Sequence, residues 1–233
     1  MNRNVSHHKF VMKEPQNQVA YDEHIEKGPE YFGPWASYDW RRNPRGFLFK
    51  LARYKFAATM LTGSQSVLEA GCGDGMGLPL LLKDVGKVHA IDFEPFVVKN
   101  AEERYQSTPL NCTFEVLDLT KSSPLGTYDA ALSLDAIEHI DPTRENDFMS
   151  NVCSTLTKRA IFILGTPNIT ARQHASALSQ AGHINMKSAE TLRQTMGLYF
   201  HNVFIFSMND EVVHTGFHPM AHYLFAMGVG LRK

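Results

Sequence analysis

The run Glu69-Ala-Gly71-Cys-Gly73-Asp-Gly75-Met-Gly77 puts glycine at every second position behind a carboxylate. Glycines in such a run admit positive φ and let backbone approach a ligand closely. A dinucleotide fingerprint, Gly-x-Gly-x-x-Gly, would need glycine at position 76, which is Met. No Gly-Lys-Ser/Thr follows, so a P-loop is excluded as well. The loop therefore favours a ligand held by backbone, without demanding a phosphate. Asp92 lies 23 residues after Glu69 and suits the two hydrogen bonds of a ribose diol. Asp118 suits an exocyclic adenine amine, with Leu117 and Leu119 on either side to clamp the base.

A second group is Asp135-Ala-Ile-Glu138-His139. If a helical turn begins at Asp135, its carboxylate, Glu138 and His139 share one face at i, i+3 and i+4. Two carboxylates and an imidazole suit a divalent metal. A histidine beside a carboxylate equally suits removal of a proton from a hydroxyl. Gly165-Thr-Pro-Asn168 and Gly182-His183-Ile-Asn185 follow. Further along, Asp210, Glu211 and His214 are placed to touch an acceptor, while His218 and His222 read as loop residues. Cys72 reads as a small packing residue, because no base for it is evident.

These groups need elements to hold them. Asn43-Pro44 reads as the cap and first turn of a helix running to about Leu61. Strands are expected at 66–70, 88–92, 112–117, 128–134 and 159–164, with helices at 78–82 and 96–105. Another helix is capped by Asp141-Pro142 and carried by Phe148, Val152 and Leu156. After a helix at 188–197 come two strands, 203–208 and 222–229, with no helix between them. Alternation implies a parallel sheet with covered faces, and the last pair an antiparallel hairpin at its edge. Ligands in such sheets bind beyond the carboxyl ends of the strands. The three acids and the glycine loop all fall there.

At these residues the chain resembles class I S-adenosylmethionine-dependent methyltransferases, over about residues 43–208. The resemblance implies a Rossmann-like seven-stranded α/β sheet with an antiparallel C-terminal hairpin. It implies that Gly71, Gly73 and Gly75 line the methionine and ribose part of S-adenosylmethionine. Asp92 would hold the ribose and Asp118 the adenine, with Glu69, Phe93, Leu119 and Leu134 completing the site. A basic residue before the first strand would clamp the methionine carboxylate. Arg45 and Arg53 are both available, and Arg53 is carried forward. The Asp135–His139 segment and the 165–168 loop resemble the subgroup of ubiquinone-biosynthesis O-methyltransferases and small-RNA 2′-O-methyltransferases. There a Glu-x-x-Glu-His cluster holds a metal, and a later histidine corresponds to His183. In this chain Asp135 replaces the first Glu. The implied Mg or Zn ligands are Asp135, Glu138, His139 and His183, and the candidate bases are His139, His183 and His214.

Composition bounds these readings. The 233 residues are 43% hydrophobic and 20% charged, which excludes wholesale disorder. Twenty-three basic residues against 24 acidic ones give no field for long nucleic acid. Three widely spaced cysteines argue against a disulfide framework. The first 15 residues lack an apolar core, so a secretory signal is not expected, and no stretch is long enough to span a bilayer. The expectation is a cytoplasmic enzyme with no membrane partner. Residues 1–42 form a polar tail and an aromatic cap segment, Tyr31–Arg42, while 43–233 form the methyltransferase domain. His7 and His8 fall in the tail, and no role is assigned to them. No Asn/Asp-Pro-Pro-Tyr/Phe motif follows the fourth strand, which favours oxygen over nitrogen as the methyl acceptor. The expected reaction is O-methylation of a sugar, nucleotide sugar or phenol. RNA 2′-O-methylation and cofactor binding without catalysis are the alternatives.

Overall fold

A computed structural model describes residues 10–232. His7 and His8, and part of the expected tail, lie outside the described residues. The described chain groups into two compact units, divided between Tyr31 and Phe32. The first contains a turn at Pro15–Asn17 and helix α1, Gln18–Lys27. Tyr21 bonds the Phe10 amide at 3.0 Å and packs edge-on against its ring.

The larger unit begins with α2, Pro34–Arg42, so most of the aromatic cap segment is helical. Asn43 caps α3, Pro44–Met60, by accepting from the Gly46 amide. The chain then alternates through β1 (Val67–Ala70), α4 (Leu78–Leu81), β2 (Val88–Asp92), α5 (Pro95–Tyr105), β3 (Cys112–Val116) and β4 (Tyr128–Leu134). Next come α6 (Glu145–Cys153), β5 (Leu156–Pro167), α7 (Ala177–Gly182) and α8 (Ala189–Gly197). The chain closes with β6 (Phe200–Asn209), β7 (Val212–His214) and β8 (Tyr223–Leu231). Leu156, expected in a helix, instead starts β5 opposite Tyr128.

The sheet has eight strands in the order β3-β2-β1-β4-β5-β8-β6-β7. The first five are parallel, and β8 and β6 are antiparallel to their neighbours. This is the expected α/β sheet with two differences. Val212–His214 adds an eighth strand, paired to β6 by the turn at Asp210-Glu211. The C-terminal pair also does not sit at the edge as a simple hairpin, because β8 inserts between β5 and β6. The central strands are largely apolar, as a sheet covered on both faces requires: β1 is buried throughout and β4 nearly so. Leu68, Ala131, Phe162 and Leu224 anchor one face, and Val67, Leu132, Ile163 and Phe225 the other. The strand order reverses between β1 and β4, which opens a crevice above their carboxyl ends.

Asp129 ties these two central strands at the opposite end. Its carboxylate accepts from the Gln65 and Ser66 amides, both at 2.8 Å. Removing it strands two backbone donors at the entry to β1. Asp129→Ala is expected to lower unfolding stability by about 1–3 kcal/mol. A urea titration should show a lower midpoint with unchanged slope.

Candidate active site

The crevice at the strand-order switch is a cavity of about 830 Å3. Gly71 and Gly73 lie on its wall with φ of +85° and +54°. A Cβ on Gly71 would come within 2.7 Å of the Ala136 side chain, so glycine there lets the two central loops touch. Gly73 lies under the Trp35 ring, which a Cβ would meet at 3.1 Å. Gly75 has φ +70°, yet it packs toward Leu78, Tyr105 and Phe114 and is not on the cavity wall.

Asp92, Phe93, Asp118, Leu119 and Leu134 all line the cavity, as their strand-end positions imply. Asp92 accepts from the Gly73 amide at 2.9 Å and the Glu94 amide at 3.0 Å. Burial raises its pKa against these bonds. Asp118 is held in the opposite sense: Thr120 and Lys121 bond it and lower its pKa. Phe93 is 68% exposed at the rim.

Glu69 is placed differently from the expectation. It lies beneath the glycine loop, 1% exposed and absent from the cavity wall. Its Oε1 accepts from the Tyr54 hydroxyl at 2.7 Å, and Oε2 is buried without a partner. Burial pushes its pKa up to about 8, the Tyr54 bond opposing. Glu69 thus supports the loop from below.

Two residues that the sequence reading passed over fix the aromatic helix. The Asp74 carboxylate accepts from the Ala36 amide at 2.8 Å, in the first turn of α2. Arg104 bonds the Asp74 carbonyl. Trp35, on that turn, joins the cavity wall over Gly73. The signal was an acid in the glycine loop and a Gly33-Pro34 helix start, which spacing alone does not connect.

Asp135 does not share a face with Glu138 and His139. Its φ is +55°, so the chain reverses there, and only Ile137–His139 form a short helical turn. Its side chain meets Arg53, whose Nη1 bonds both carboxylate oxygens at 2.8 and 2.7 Å. Arg53 also stacks on Tyr223, 3.8 Å from the ring centre. Burial works against the Arg53 charge, and Asp135 outweighs it. Arg45 is exposed, whereas Arg53 reaches the cavity.

Glu138, His139 and His183 do converge: their ligand atoms lie within 4.8 Å of one another, and Asp135 is not among them. The two rings meet edge-on at 5.0 Å. Thr166 donates to Glu138 Oε2 at 3.0 Å, while Oε1 and His183 Nδ1 are buried without partners. His139 Nδ1 is 3.0 Å from the Gly182 carbonyl, which leaves Nε2 for another partner. Burial, then Asp135, raise the Glu138 pKa to about 8. Burial, then His139, lower that of His183. Two orphaned buried atoms beside a third donor fit a divalent cation. One carboxylate with two imidazoles suits a borderline metal such as Zn better than Mg.

His214 stands apart from this group. It ends β7, its Nδ1 accepts from the Gly216 amide at 2.9 Å, and it does not line the cavity. Local turn bonding claims the side chain that spacing had offered as a base.

Residues 67–159 match the family model described as a methyltransferase domain. An uncharacterized methyltransferase of Mycobacterium tuberculosis is 33% identical over 82 residues, which cover 35% of this chain and 41% of that protein. The match thus spans less than half of that relative. Among solved structures, the methyltransferase domain of bacterial CtHen1 aligns with TM-score 0.64 at 20% identity. It covers 78% of this chain and 99% of that one. Magnesium protoporphyrin IX methyltransferase from Synechocystis, with bound S-adenosylhomocysteine, aligns with TM-score 0.57 at 18% identity, covering 92% and 95%. These likenesses establish the Rossmann-like methyltransferase fold. The family match adds that residues 67–159 resemble a methyltransferase domain in sequence as well.

The buried Glu69 makes stability depend on pH. Its folded pKa, about 8, lies above the ordinary value of 4.5. The native state therefore holds a proton that the unfolded state releases, and stability falls as pH rises from 5 to 8. Glu69 supplies a slope of at most about 1.4 kcal/mol per pH unit. Glu69→Gln should flatten the pH dependence of the urea midpoint in this window. An unchanged profile would show that Glu69 is ionised in the native state.

Proposed function

We propose that this chain methylates a hydroxyl of a small acceptor. The observation that carries the reading is the Glu138–His139–His183 cluster on the cavity wall, where two buried polar atoms lack partners. Asp92 and Asp118 would take the ribose and adenine, the Gly71–Gly73 backbone would approach the methionine part, and Arg53 would meet its carboxylate. Trp35 lies over Gly73 at the mouth of this site.

S-adenosylmethionine supplies a sulfonium-activated methyl group, which the acceptor oxygen takes as the carbon–sulfur bond breaks and its electron pair passes to sulfur. A divalent cation on Glu138, His139 and His183 would supply Lewis acidity that lowers the hydroxyl's pKa. The chain's own work is alignment and proton removal. Burial and then His139 lower the His183 pKa, which favours the imidazole that accepts a proton or offers a lone pair. Thr166 fixes Glu138, and the Gly182 carbonyl orients His139. A sugar or phenol hydroxyl fits this chemistry. Three unpaired cysteines support a reducing, cytoplasmic setting.

RNA 2′-O-methylation is the second reading. It draws on the resemblance of the Thr166-Pro-Asn168 loop and His183 to the small-RNA enzymes. Methyl-labelled S-adenosylmethionine, protein and an extract of the source cells separate the two. Label in the small-molecule fraction is the expected result, and label in RNA would replace the leading reading with the second. His139→Ala/His183→Ala should cut turnover by at least about 100-fold while S-adenosylhomocysteine affinity holds. Undiminished turnover in that variant would sink the assigned chemistry.

A further inference from the structure

A second cavity of about 320 Å3 lies beside the first and shares Asp39, Lys50 and Arg53 with it. Its remaining wall includes Phe47, Phe49, Asp210 and His222. Apart from Arg53, none of the residues proposed for the cofactor lines this space. We propose that it receives the part of the acceptor that does not react, and that this part is an uncharged, hydroxyl-bearing ring. The proposal rests on the O-methylation reading and narrows its substrate class.

Charge decides the class. Both cations on the wall are already paired: Lys50 with Asp39 at 2.6 Å, and Arg53 with Asp135 at 2.7 Å. Asp210 has no ion-pair partner among the described residues. The wall thus carries two carboxylates, Asp39 and Asp210, beside two cations, so a phosphate would lie against two like charges. An ammonium group would lie against Lys50 and Arg53. Burial and then the Arg53 charge lower the His222 pKa, with Asp210 opposing, which favours the uncharged imidazole. Its Nε2 is buried without a partner, as is Arg53 Nε. The Phe49 ring lies 5.9 Å from the His222 ring and tilted by 37°. One apolar ring face, a neutral imidazole, a carboxylate and an unpaired guanidinium N–H offer stacking, acceptors and a donor. Hydroxyl groups can use all of these, since each both donates and accepts. The shared Arg53 places this ring next to the methyl-transfer cavity.

The test is an NMR titration of 15N-labelled protein saturated with S-adenosylhomocysteine. Three probes of similar size are used: methyl β-D-glucopyranoside, glucose 6-phosphate and glucosamine. The neutral glycoside is expected to shift the amides of Phe49, Arg53, Asp210 and His222 saturably, and to bind more tightly than either charged probe. His222→Gln and Asp210→Asn should each weaken it about fivefold, with S-adenosylhomocysteine affinity unchanged. Asp210 has φ +51° in an exposed turn, where asparagine is tolerated, so that variant keeps the fold. The proposal is overturned if a charged probe binds more tightly, if the glycoside leaves these signals unmoved, or if both variants titrate like the parent. Failure of S-adenosylhomocysteine to bind would instead remove the methyltransferase reading. The glycoside titration of the cofactor-free protein would still test the cavity.

Discussion

The ion pair between Arg53 and Asp135 organises the region above the sheet. Arg53 comes from the middle of α3, Asp135 from the reversal after β4, and Tyr223, under the guanidinium, from the start of β8. Three segments far apart in sequence thus meet at one charge. The geometry is costly to assemble. Asp135 accepts a left-handed backbone that a non-glycine residue rarely adopts, and the Arg53 side chain is largely withdrawn from water. The bidentate contact and the aromatic face offset that cost. In return the reversal at Asp135 turns Ile137–His139 toward His183. The same guanidinium also forms the boundary between the two cavities.

Beneath this pair the glycine loop is supported from below by Glu69 and Tyr54, and its own Asp74 ties it to the turn of α2 that carries Trp35. None of the four needs to touch a ligand to matter. Gly77 shows how close the support is: a Cβ there would lie 2.1 Å from the Tyr54 ring. The alternate-glycine pattern therefore has two duties. Gly71 and Gly73 open the backbone toward the cavity, while Gly75 and Gly77 admit neighbouring rings on the far side.

Much of this was legible in the amino-acid order. Short, largely apolar runs ended by Gly or Asp mark β1, β2 and β4 to within a residue, because a sheet buried on both faces narrows the choice of residue. Asp92 and Asp118 followed from the strand ends. What was not legible depended on contacts between distant segments. Nothing local says that Asp135 turns to Arg53, since i, i+3 spacing predicts a shared face only if the backbone stays helical. Glu69 is expected in the site because it adjoins the glycine loop, yet it lies under the loop against Tyr54. His214 is claimed by Gly216, two residues away. His222 gained its place only through β8, whose position beside β5 no periodicity reveals.

That position has a consequence for how the chain is made. β8 pairs with β5 through seven successive residues, Ile161 to Pro167, and with β6 on its other side. During synthesis β5 and β6 emerge first and can pair with β4 and β7, but the facing edge of each stays open until residues 223–231 exist. The open flank of a largely apolar strand must wait, and such flanks recruit other strands. Folding of the sheet is therefore completed from its C-terminal segment inward. The nascent chain has an interval of stickiness that ends only when its last strand slots into the gap.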